Sequence, residues 1–351
     1  MKNYLIFIGC IILFSACGGS DTAKLPINAP LSVEPSYQQP NAAICDASLD
    51  VEDGLLCAIQ PSRLDSNSRD EFGVNSNEDY LLGFGFHAVA FPKNGSAIRG
   101  VNIHLTGSYG RPYNQFSGNF PSKIFLNESL AAGYITIQVA YDNRYAINLD
   151  QCGGSPEKFG IDNCAGDVRL EKITGQNISS VTDTPLEDSI EYRLIKLISY
   201  FENQGVIFPI NMTNSGSINW NQLSVSGHSQ GGGHALYLGK YFDAAYVCML
   251  AAGFDVPDSI PALPEENIAD WFLDDSIPLD INKIRALVSI DDDSYSYLVT
   301  GYEVLDLQQG VHYQVFSGAP YFNSDGNQIS GHGAAIADPR YQSLRREACF
   351  P

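Results

Sequence analysis

The stretch LSVSGHSQGGGHALYLGK, residues 223–240, places a serine between glycines where an alternating apolar run gives way to a helix-like one. Alternation over residues 223–226 predicts a β-strand, and the apolar spacing after the serine predicts a helix. Gly227 and Gly231 flank Ser229, and a side chain at either position would crowd a sharp strand-to-helix turn. The pattern G-x-S-x-G also arises by chance, so its context must distinguish a nucleophile from an ordinary loop serine.

Short apolar runs of strand length recur on both sides of this turn. Their β-branched and aromatic residues predict strands in residues 80–91, 98–105, 134–141, 223–226, 244–253, 284–290 and 311–318. A helical repeat with Asp188 and Glu191 as a capping box predicts a helix that ends at Gly205. Strands and helices in alternation predict an α/β fold, with a mostly parallel sheet and helices on both faces. The loops after the strands should meet at one edge of the sheet, where ligands bind in such folds.

Those loops carry the groups that a serine nucleophile needs. A serine hydroxyl requires an adjacent base, and the base requires a carboxylate to hold its tautomer. His332 follows the last strand between Gly331 and Gly333, which would let its ring approach closely. Three candidate carboxylates follow the strand at residues 284–290: Asp291, Asp292 and Asp293. The alternatives are an ordinary surface histidine and a solvated aspartate turn, or part of a calcium site, although no EF-hand-like spacing is present.

The order serine, aspartate, histidine and the motif GHSQG resemble the α/β-hydrolase superfamily with its nucleophile elbow. The similarity is greater to a poorly characterised branch of secreted bacterial members with a GHSQGGG elbow, and it covers about residues 80–338. In that branch a cysteine-bearing region follows the third strand, as residues 152–164 do here. The resemblance implies an α/β-hydrolase fold with cap or rim insertions, Ser229 as nucleophile and His332 as general base. Asp292 aligns best as the acid, with Asp293 next and Asp291 as a further alternative.

An oxyanion hole needs two backbone N–H donors. The resemblance implies that Gln230, the residue after the nucleophile, supplies one of them at a helix N-terminus. The second should come from residues 104–112, HLTGSYGRP, in which Thr106 and Gly107 stand where the family often has His-Gly. Ser108 is therefore the favoured second donor, and Tyr109 is the alternative.

The remaining histidines and two polar segments have plainer interpretations. The histidines expected to pack or support rather than act as bases are His228, His234, His87, His104 and His312. Residues 142–186 are too polar for a core, and with residues 255–282 they are expected to form the rim or cap that selects the substrate. Within the second segment, Trp271 and Phe272 either line a cap or anchor a short helix to the core.

The first residues, MKNYLIFIGCIILFSAC, have a positive start, a short apolar run and small residues before Cys17. This layout is typical of a secretory signal. Its apolar run is too short to span a bilayer comfortably. It resembles a bacterial lipoprotein signal, which implies lipidation of Cys17, although Phe14 stands where that family usually has Leu. The alternative is cleavage after Ala16 with a free Cys17. We predict a signal at residues 1–16, a lipidated cysteine and flexible tether at 17–43, and one catalytic domain at 44–351.

Six further cysteines follow the tether region: Cys45, Cys57, Cys152, Cys164, Cys248 and Cys349. In an exported chain six cysteines favour disulfides, and fifteen connectivities are possible. Short separation favours Cys45 with Cys57 and Cys152 with Cys164, and the last pair follows only by elimination. No C-x-x-C spacing or His/Cys cluster indicates zinc.

The chain has 20 basic and 40 acidic residues and a net charge of −20, which disfavours nucleic acid and anionic membranes as partners. No metal, nucleotide or flavin motif is present, so no cofactor is expected. The resemblance implies an exported, monomeric serine hydrolase that cleaves small or polymeric carboxylic esters through an acyl-enzyme. Its location would be the bacterial cell envelope, with membrane contact only through the lipid anchor. The alternatives are a serine peptidase or acyltransferase on the same fold, and a catalytically silent binding protein at the cell surface.

Overall fold

The computed structural model describes residues 37–70, 85–152, 163–255, 268–323 and 326–351. The predicted signal and lipidation site lie outside the described residues. The strands are β1 (Ala47–Val51), β2 (Gly54–Ile59), β3 (His87–Pro92), β4 (Gly100–Leu105), β5 (Tyr134–Gln138), β6 (Thr213–Asn214), β7 (Ser217–Ile218), β8 (Ser224–His228), β9 (Tyr246–Leu250), β10 (Ile284–Ser289), β11 (Tyr313–Phe316), β12 (Tyr321–Phe322) and β13 (Gln328–Ile329). The helices are α1 (Pro61–Leu64), α2 (Lys123–Ala131), α3 (Cys164–Thr174), α4 (Ile190–Asn203), α5 (Gln230–Tyr241), α6 (Asp270–Leu273), α7 (Tyr295–Val304), α8 (Gly331–Ala337) and α9 (Gln342–Cys349), with a π-helical turn at Ile147–Gln151.

The described strands form one large sheet in the order β1-β2-β3-β5-β4-β8-β9-β10-β11, and two small hairpins, β6-β7 and β12-β13. β3 pairs antiparallel with β2 and with β5, and β1 pairs antiparallel with β2. All pairs from β5 through β4, β8, β9 and β10 to β11 are parallel. The parallel strands therefore end at one common edge, which carries the loops that the sequence singles out.

Helices cover both faces of this sheet. As a result, alternate residues of a central strand pack into different apolar clusters. Val247 and Met249 of β9 belong to a core shared with α3, α4 and α5. Cys248 and Leu250 of the same strand belong to a second cluster, shared with α2, α8 and α9. A strand that is buried on both faces accounts for its unbroken apolar sequence. The chain has the predicted α/β-hydrolase fold, with a mostly parallel central sheet.

The predicted capping box at the start of α4 is wrong. Ser189 caps this helix and accepts a hydrogen bond from the Tyr192 amide at 3.3 Å. Asp188 is fully buried and forms ion pairs with Arg69 and Arg193. Both residues are good N-caps, and the two arginines decide which of them is used, because the buried Asp188 carboxylate needs a counter-charge.

The expectation that residues 142–186 are too polar for the core is also wrong in part. Helix α3 buries Val168 and Ile173, and it also buries the charged Arg169 and Lys172. Lys172 Nζ donates to the Asp142 carbonyl oxygen at 2.7 Å and lies 3.9 Å from the Asp142 carboxylate, so its charge is paired inside the fold. A polar composition therefore does not exclude a segment from the core, because charges that are paired can be buried.

The structure adds one feature that the sequence analysis missed, and it decides between two alternatives that the sequence left open. The β1-β2 hairpin is absent from the predicted strands, although every residue of β2 is buried. Trp271 and Phe272 are 2% and 4% exposed, and Trp271 Nε1 donates to Asp255 at 2.8 Å. These two aromatic residues therefore anchor α6 to the core.

Three disulfides join Cys45 to Cys57, Cys152 to Cys164 and Cys248 to Cys349. Disulfides of this kind persist in oxidising compartments outside the cytoplasm. No helix within the described ranges has the length and apolar content needed to cross a bilayer.

Candidate active site

Ser229 occupies the turn between β8 and α5 in a conformation that L-residues rarely adopt. Its φ is 54° and its ψ is −127°, and its amide donates to the Leu250 carbonyl at 2.9 Å. A strained non-glycine residue at this point is a feature of the nucleophile elbow, where it exposes the serine hydroxyl above the sheet. The turn is thus built for presenting Ser229 at the edge where the parallel strands end.

Two glycines make this turn possible by close backbone contact. A Cβ atom on Gly227 would collide with the backbone of Gly231, and one on Gly231 would collide with the Leu105 carbonyl group. Further along α5, a Cβ on Gly233 would collide with the Arg169 guanidinium. Helix α5 can therefore start directly against β4 and β8 and pack closely on α3.

His332 and Asp292 are brought together from two different loops. His332 Nδ1 lies 2.8 Å from Asp292 Oδ2, with the histidine side chain 34% exposed and the carboxylate 1% exposed. Asp292 Oδ1 accepts from the Ser294 amide at 2.8 Å, which fixes the carboxylate in the turn after β10. The contact at Nδ1 leaves His332 Nε2 available on the other side of the ring.

His332 begins a helix, whereas the sequence predicted a loop. It is the second residue of α8, and Ser330 caps this helix by accepting from the Gly333 amide at 3.1 Å. A Cβ on Gly331 would collide with the Asp291 carbonyl group, but a Cβ on Gly333 would meet nothing nearer than 3.6 Å. Only Gly331 is therefore needed to bring the histidine against the aspartate turn.

The two neighbouring aspartates are placed differently. Asp291 Oδ2 accepts from the Tyr321 hydroxyl at 2.5 Å, and its amide donates to Ser289 Oγ. Asp293 is exposed and lies on the wall of the cavity that contains Ser229. Neither carboxylate is hydrogen-bonded to His332 among the described residues.

Ser229 and His332 line one cavity of about 410 Å³, together with Asp292 and Gln230. No described residue is hydrogen-bonded to the Ser229 hydroxyl. Serine–base contacts are often long in unliganded enzymes and tighten when the substrate binds. The rest of the wall includes two mainly apolar segments, residues 146–149 and 251–254. It also includes polar or charged side chains: Ser108, Tyr109, Arg169, Asp255, Asp293 and Ser294.

The loop after β4 approaches the turn at Ser229 closely. A Cβ on Gly107 would lie 3.0 Å from Ser229 Cβ and 3.1 Å from the His228 carbonyl oxygen. The Tyr109 amide donates to the Asn143 carbonyl at 2.8 Å, whereas the Ser108 amide has no acceptor within the described residues. Of Ser108 and Tyr109, Ser108 is therefore the residue whose N–H remains available to a ligand, along with the Gln230 N–H at the start of α5.

Asn143 and Tyr141 hold this loop, and the sequence analysis missed both. Asn143 Nδ2 donates to the carbonyl oxygens of Gly107 and Gly110, each at 2.7 Å. The Tyr141 hydroxyl donates to the Thr106 carbonyl at 2.6 Å. Both residues follow β5 at the carboxyl edge of the sheet, and that position was the available signal.

His228 supports the other side of His332. Its Nε2 lies 3.0 Å from the His332 carbonyl oxygen, and the two ring centroids are 4.9 Å apart. Burial lowers the pKa of His228 to about 3, with the nearby His332 as a further cause. The neutral ring therefore donates its proton from Nε2 to the carbonyl, and His228 packs against His332.

Other histidines and a buried ion pair lie behind the site. Arg169 donates to both carboxylate oxygens of Asp255 at 2.6 Å and to the Gln230 carbonyl at 3.1 Å. The four other histidines are structural by their contacts or burial: His87 accepts from the Ala140 amide, His104 contacts Ser226, His312 accepts from the Gln308 amide, and His234 is fully buried against Tyr141. The ion pair was not foreseen, because its partners are 86 residues apart.

A larger cleft of about 810 Å³ borders the site across Gly107 and His228. Its wall also includes Tyr113, Lys123 and Ile336, but neither Ser229 nor His332. The smaller cavity is therefore the one that brings the reactive groups together.

No protein-family model and no curated protein matches the chain. Several solved structures are similar to it. An S-formylglutathione hydrolase from Agrobacterium tumefaciens is 9% identical, with a TM-score of 0.43, over 87% of this chain and 99% of that chain. The carboxylesterase EstE1, cloned from a metagenomic library, is 11% identical, with a TM-score of 0.40, over 86% and 92%. XC6422 from Xanthomonas campestris, an α/β serine hydrolase without a lid, is 11% identical, with a TM-score of 0.30, over 81% and 85%.

Proposed function

We propose that this chain is a serine hydrolase that cleaves carboxylic esters through an acyl-enzyme. The observation that carries the proposal is the 2.8 Å contact between His332 Nδ1 and a buried Asp292 carboxylate, in the cavity that contains the strained Ser229. A carboxylate on Nδ1 directs Nε2 to act as the base and stabilises the imidazolium that forms. In this proposal the acid is Asp292, rather than Asp293 or Asp291.

The reaction follows from these positions. Ser229 Oγ attacks the ester carbonyl carbon while His332 Nε2 takes the hydroxyl proton. The N–H groups of Gln230 and Ser108 stabilise the oxyanion of the tetrahedral intermediate. The carbon–oxygen bond to the alcohol then breaks, and His332 returns the proton to the leaving alkoxide. Water, deprotonated by His332, attacks the acyl-enzyme and releases the acid and free Ser229.

The cavity favours an ester whose acyl group is apolar and of moderate size. Besides Asp292 and His332, the charged side chains of its wall are Arg169 and Asp255, which bind each other, and the exposed Asp293. The segments at residues 146–149 and 251–254 offer Ile147, Leu149 and Phe254 to the bound group. Apolar walls with a few directed polar groups are typical of small-molecule sites.

A panel of p-nitrophenyl esters with acyl chains of increasing length tests the proposal, beside aminoacyl p-nitroanilides. We expect ester hydrolysis that Ser229→Ala abolishes, and little anilide cleavage. Anilide cleavage in preference to ester cleavage would favour a peptidase, and ester turnover only in the presence of an added alcohol would favour an acyltransferase. A folded chain that is inert in all three assays would favour a binding protein.

We also propose that the protein is exported and anchored in the bacterial cell envelope by a lipid on Cys17. The three disulfides support a compartment outside the cytoplasm. Metabolic labelling with an alkyne fatty acid should mark the protein. The Cys17→Ala variant should lose this label and appear in the soluble fraction. Labelling that persists in this variant would contradict the anchor.

A further inference from the structure

The Gln230 side chain joins three parts of the site through one atom. Its Oε1 accepts a hydrogen bond from Ser108 Oγ at 3.0 Å and another from the Ile147 amide at 2.9 Å. Ser108 lies in the loop after β4, Ile147 begins the wall of the cavity, and Gln230 itself begins α5. The side chain thus links the two proposed oxyanion donors to each other and to the wall that would contact the acyl group.

This amide is buried at a cost. Gln230 is 8% exposed, and its Nε2 has no acceptor of normal geometry within the described residues. A buried donor without a partner destabilises the folded state. An apolar side chain of similar length would fill the space without that cost, so the two bonds to Oε1 are what the amide provides.

The position of the Ser108 amide depends on this link. The loop from Thr106 to Gly110 is held from one side by Asn143, which contacts the Gly107 and Gly110 carbonyls. On the side of the nucleophile, the Ser108 hydroxyl bond to Gln230 is the side-chain contact that ties the loop to α5. A donor in an oxyanion hole must be held within a fraction of an ångström to be effective.

We infer that Gln230 is a positioning residue in addition to a backbone donor: its Oε1 sets the distance between the two oxyanion N–H groups and orders the cavity wall at Ile147. This inference rests on the proposed function. It concerns the side chain only, because Gln230→Met and Gln230→Glu both keep the backbone N–H of residue 230. Substituting the side chain should weaken stabilisation of the tetrahedral intermediate. It should therefore lower kcat more than it changes KM.

The test compares four variants with the wild type on the best ester of the panel: Gln230→Met, Gln230→Glu, Ser108→Ala, and Gln222→Met as a matched control at an exposed glutamine. Rates are normalised to active sites that react with a phosphonate probe, and melting temperatures are recorded. Gln230→Met should lower kcat by about 10- to 100-fold, part of the roughly 10²- to 10³-fold that a whole oxyanion donor supplies. KM should change by less than about threefold, and Gln222→Met should behave as the wild type. The double variant of Ser108→Ala and Gln230→Met should lose no more kcat than Gln230→Met alone. Each substitution breaks the same hydrogen bond between Ser108 and Gln230.

Gln230→Glu adds a readout that a space-filling role would not produce. The neutral acid keeps an acceptor for Ser108 and Ile147, whereas the carboxylate places a negative charge beside the oxyanion. Burial raises the pKa of such a carboxyl group, so the charge appears as the pH rises through that value. The ratio of variant kcat to wild-type kcat should therefore be highest in acid and decline as the pH rises. Taking the ratio removes the pH effects that the variant and the wild type share.

Three results separate the inference from the proposed function. If Gln230→Met keeps kcat within about threefold of an active wild type, or the ratio for Gln230→Glu is independent of pH, the positioning role is overturned and the hydrolase stands. If losses from Ser108→Ala and Gln230→Met multiply, the shared link is likewise overturned. If the wild type hydrolyses no ester and resembles Ser229→Ala, both are overturned. Should Gln230→Met fail to fold, the pH ratio of Gln230→Glu decides.

Discussion

Replacing Asp292 by asparagine removes a charge from the best-defined contact in the site. The carboxylate is 1% exposed, and its Oδ2 lies 2.8 Å from His332 Nδ1. When His332 accepts the Ser229 proton, its positive charge forms roughly 4 Å from the carboxylate charge, an attraction of about 4 kcal/mol at an effective dielectric constant of about 20. Losing it should lower kcat/KM by about 10³-fold, since about 1.4 kcal/mol corresponds to a factor of ten. An amide N–H directed at Nδ1 would also favour the unproductive tautomer and add to the loss.

The assay is hydrolysis of a p-nitrophenyl ester, with kcat and KM measured separately and folding checked by circular dichroism. Asp291→Asn and Asp293→Asn are matched controls, because both are neighbours in the same turn and neither is bonded to His332. Each should keep kcat/KM within about threefold of the wild type, as expected for exposed substitutions. If Asp292→Asn retains more than a tenth of the activity, or if either control loses more than it does, the assignment of the acid is wrong.

Three further predictions concern the scaffold of the site. Gly331→Ala should lose most activity, because its Cβ would collide with the Asp291 backbone, whereas Gly333→Ala should keep it; comparable activity of the two variants would refute this. Burial lowers the pKa of His104 to about 3, so below pH 6.5 the unfolded state binds a proton that the folded state excludes. The free energy of unfolding in urea should therefore fall by about 1.4 kcal/mol per pH unit from pH 6 to 4 through this group, and His104→Gln should show a shallower decline. Glu128→Gln should cost about 3–5 kcal/mol of unfolding free energy, because it leaves the fully buried Arg345 without its counter-charge; a loss below about 1 kcal/mol would contradict the importance of the pair.

The mostly parallel sheet and the turn at Ser229 were predictable because they depend on local pattern. Residues 223–240 combine an alternating run, a serine between glycines and a helical run, and the structure has β8, the strained Ser229 and α5 there. The parallel sheet then brings Asp292 and His332 to the same edge by topology. The meeting of Asp292 and His332 therefore followed from order along the chain and from the geometry of parallel strands.

The supporting contacts were not predictable, because they depend on distant partners. Asp188 looks like an N-cap in sequence, but its buried carboxylate forms ion pairs with Arg193 and Arg69 instead. Arg169 and Lys172 make α3 look too polar for a core, yet each finds a buried partner at a distance. The Gln230 side chain gives no local sign that it would reach both Ser108 and Ile147. Such pairings become visible only when the fold is known.

The central claim is that Ser229 is a nucleophile activated by His332. The most direct measurement is the mass-spectrometric mapping of a fluorophosphonate adduct on the folded protein. We predict a single adduct, located on Ser229, which is absent from Ser229→Ala and forms far more slowly in His332→Ala. A folded protein that leaves Ser229 unmodified, or that carries the adduct at another residue, would contradict the claim.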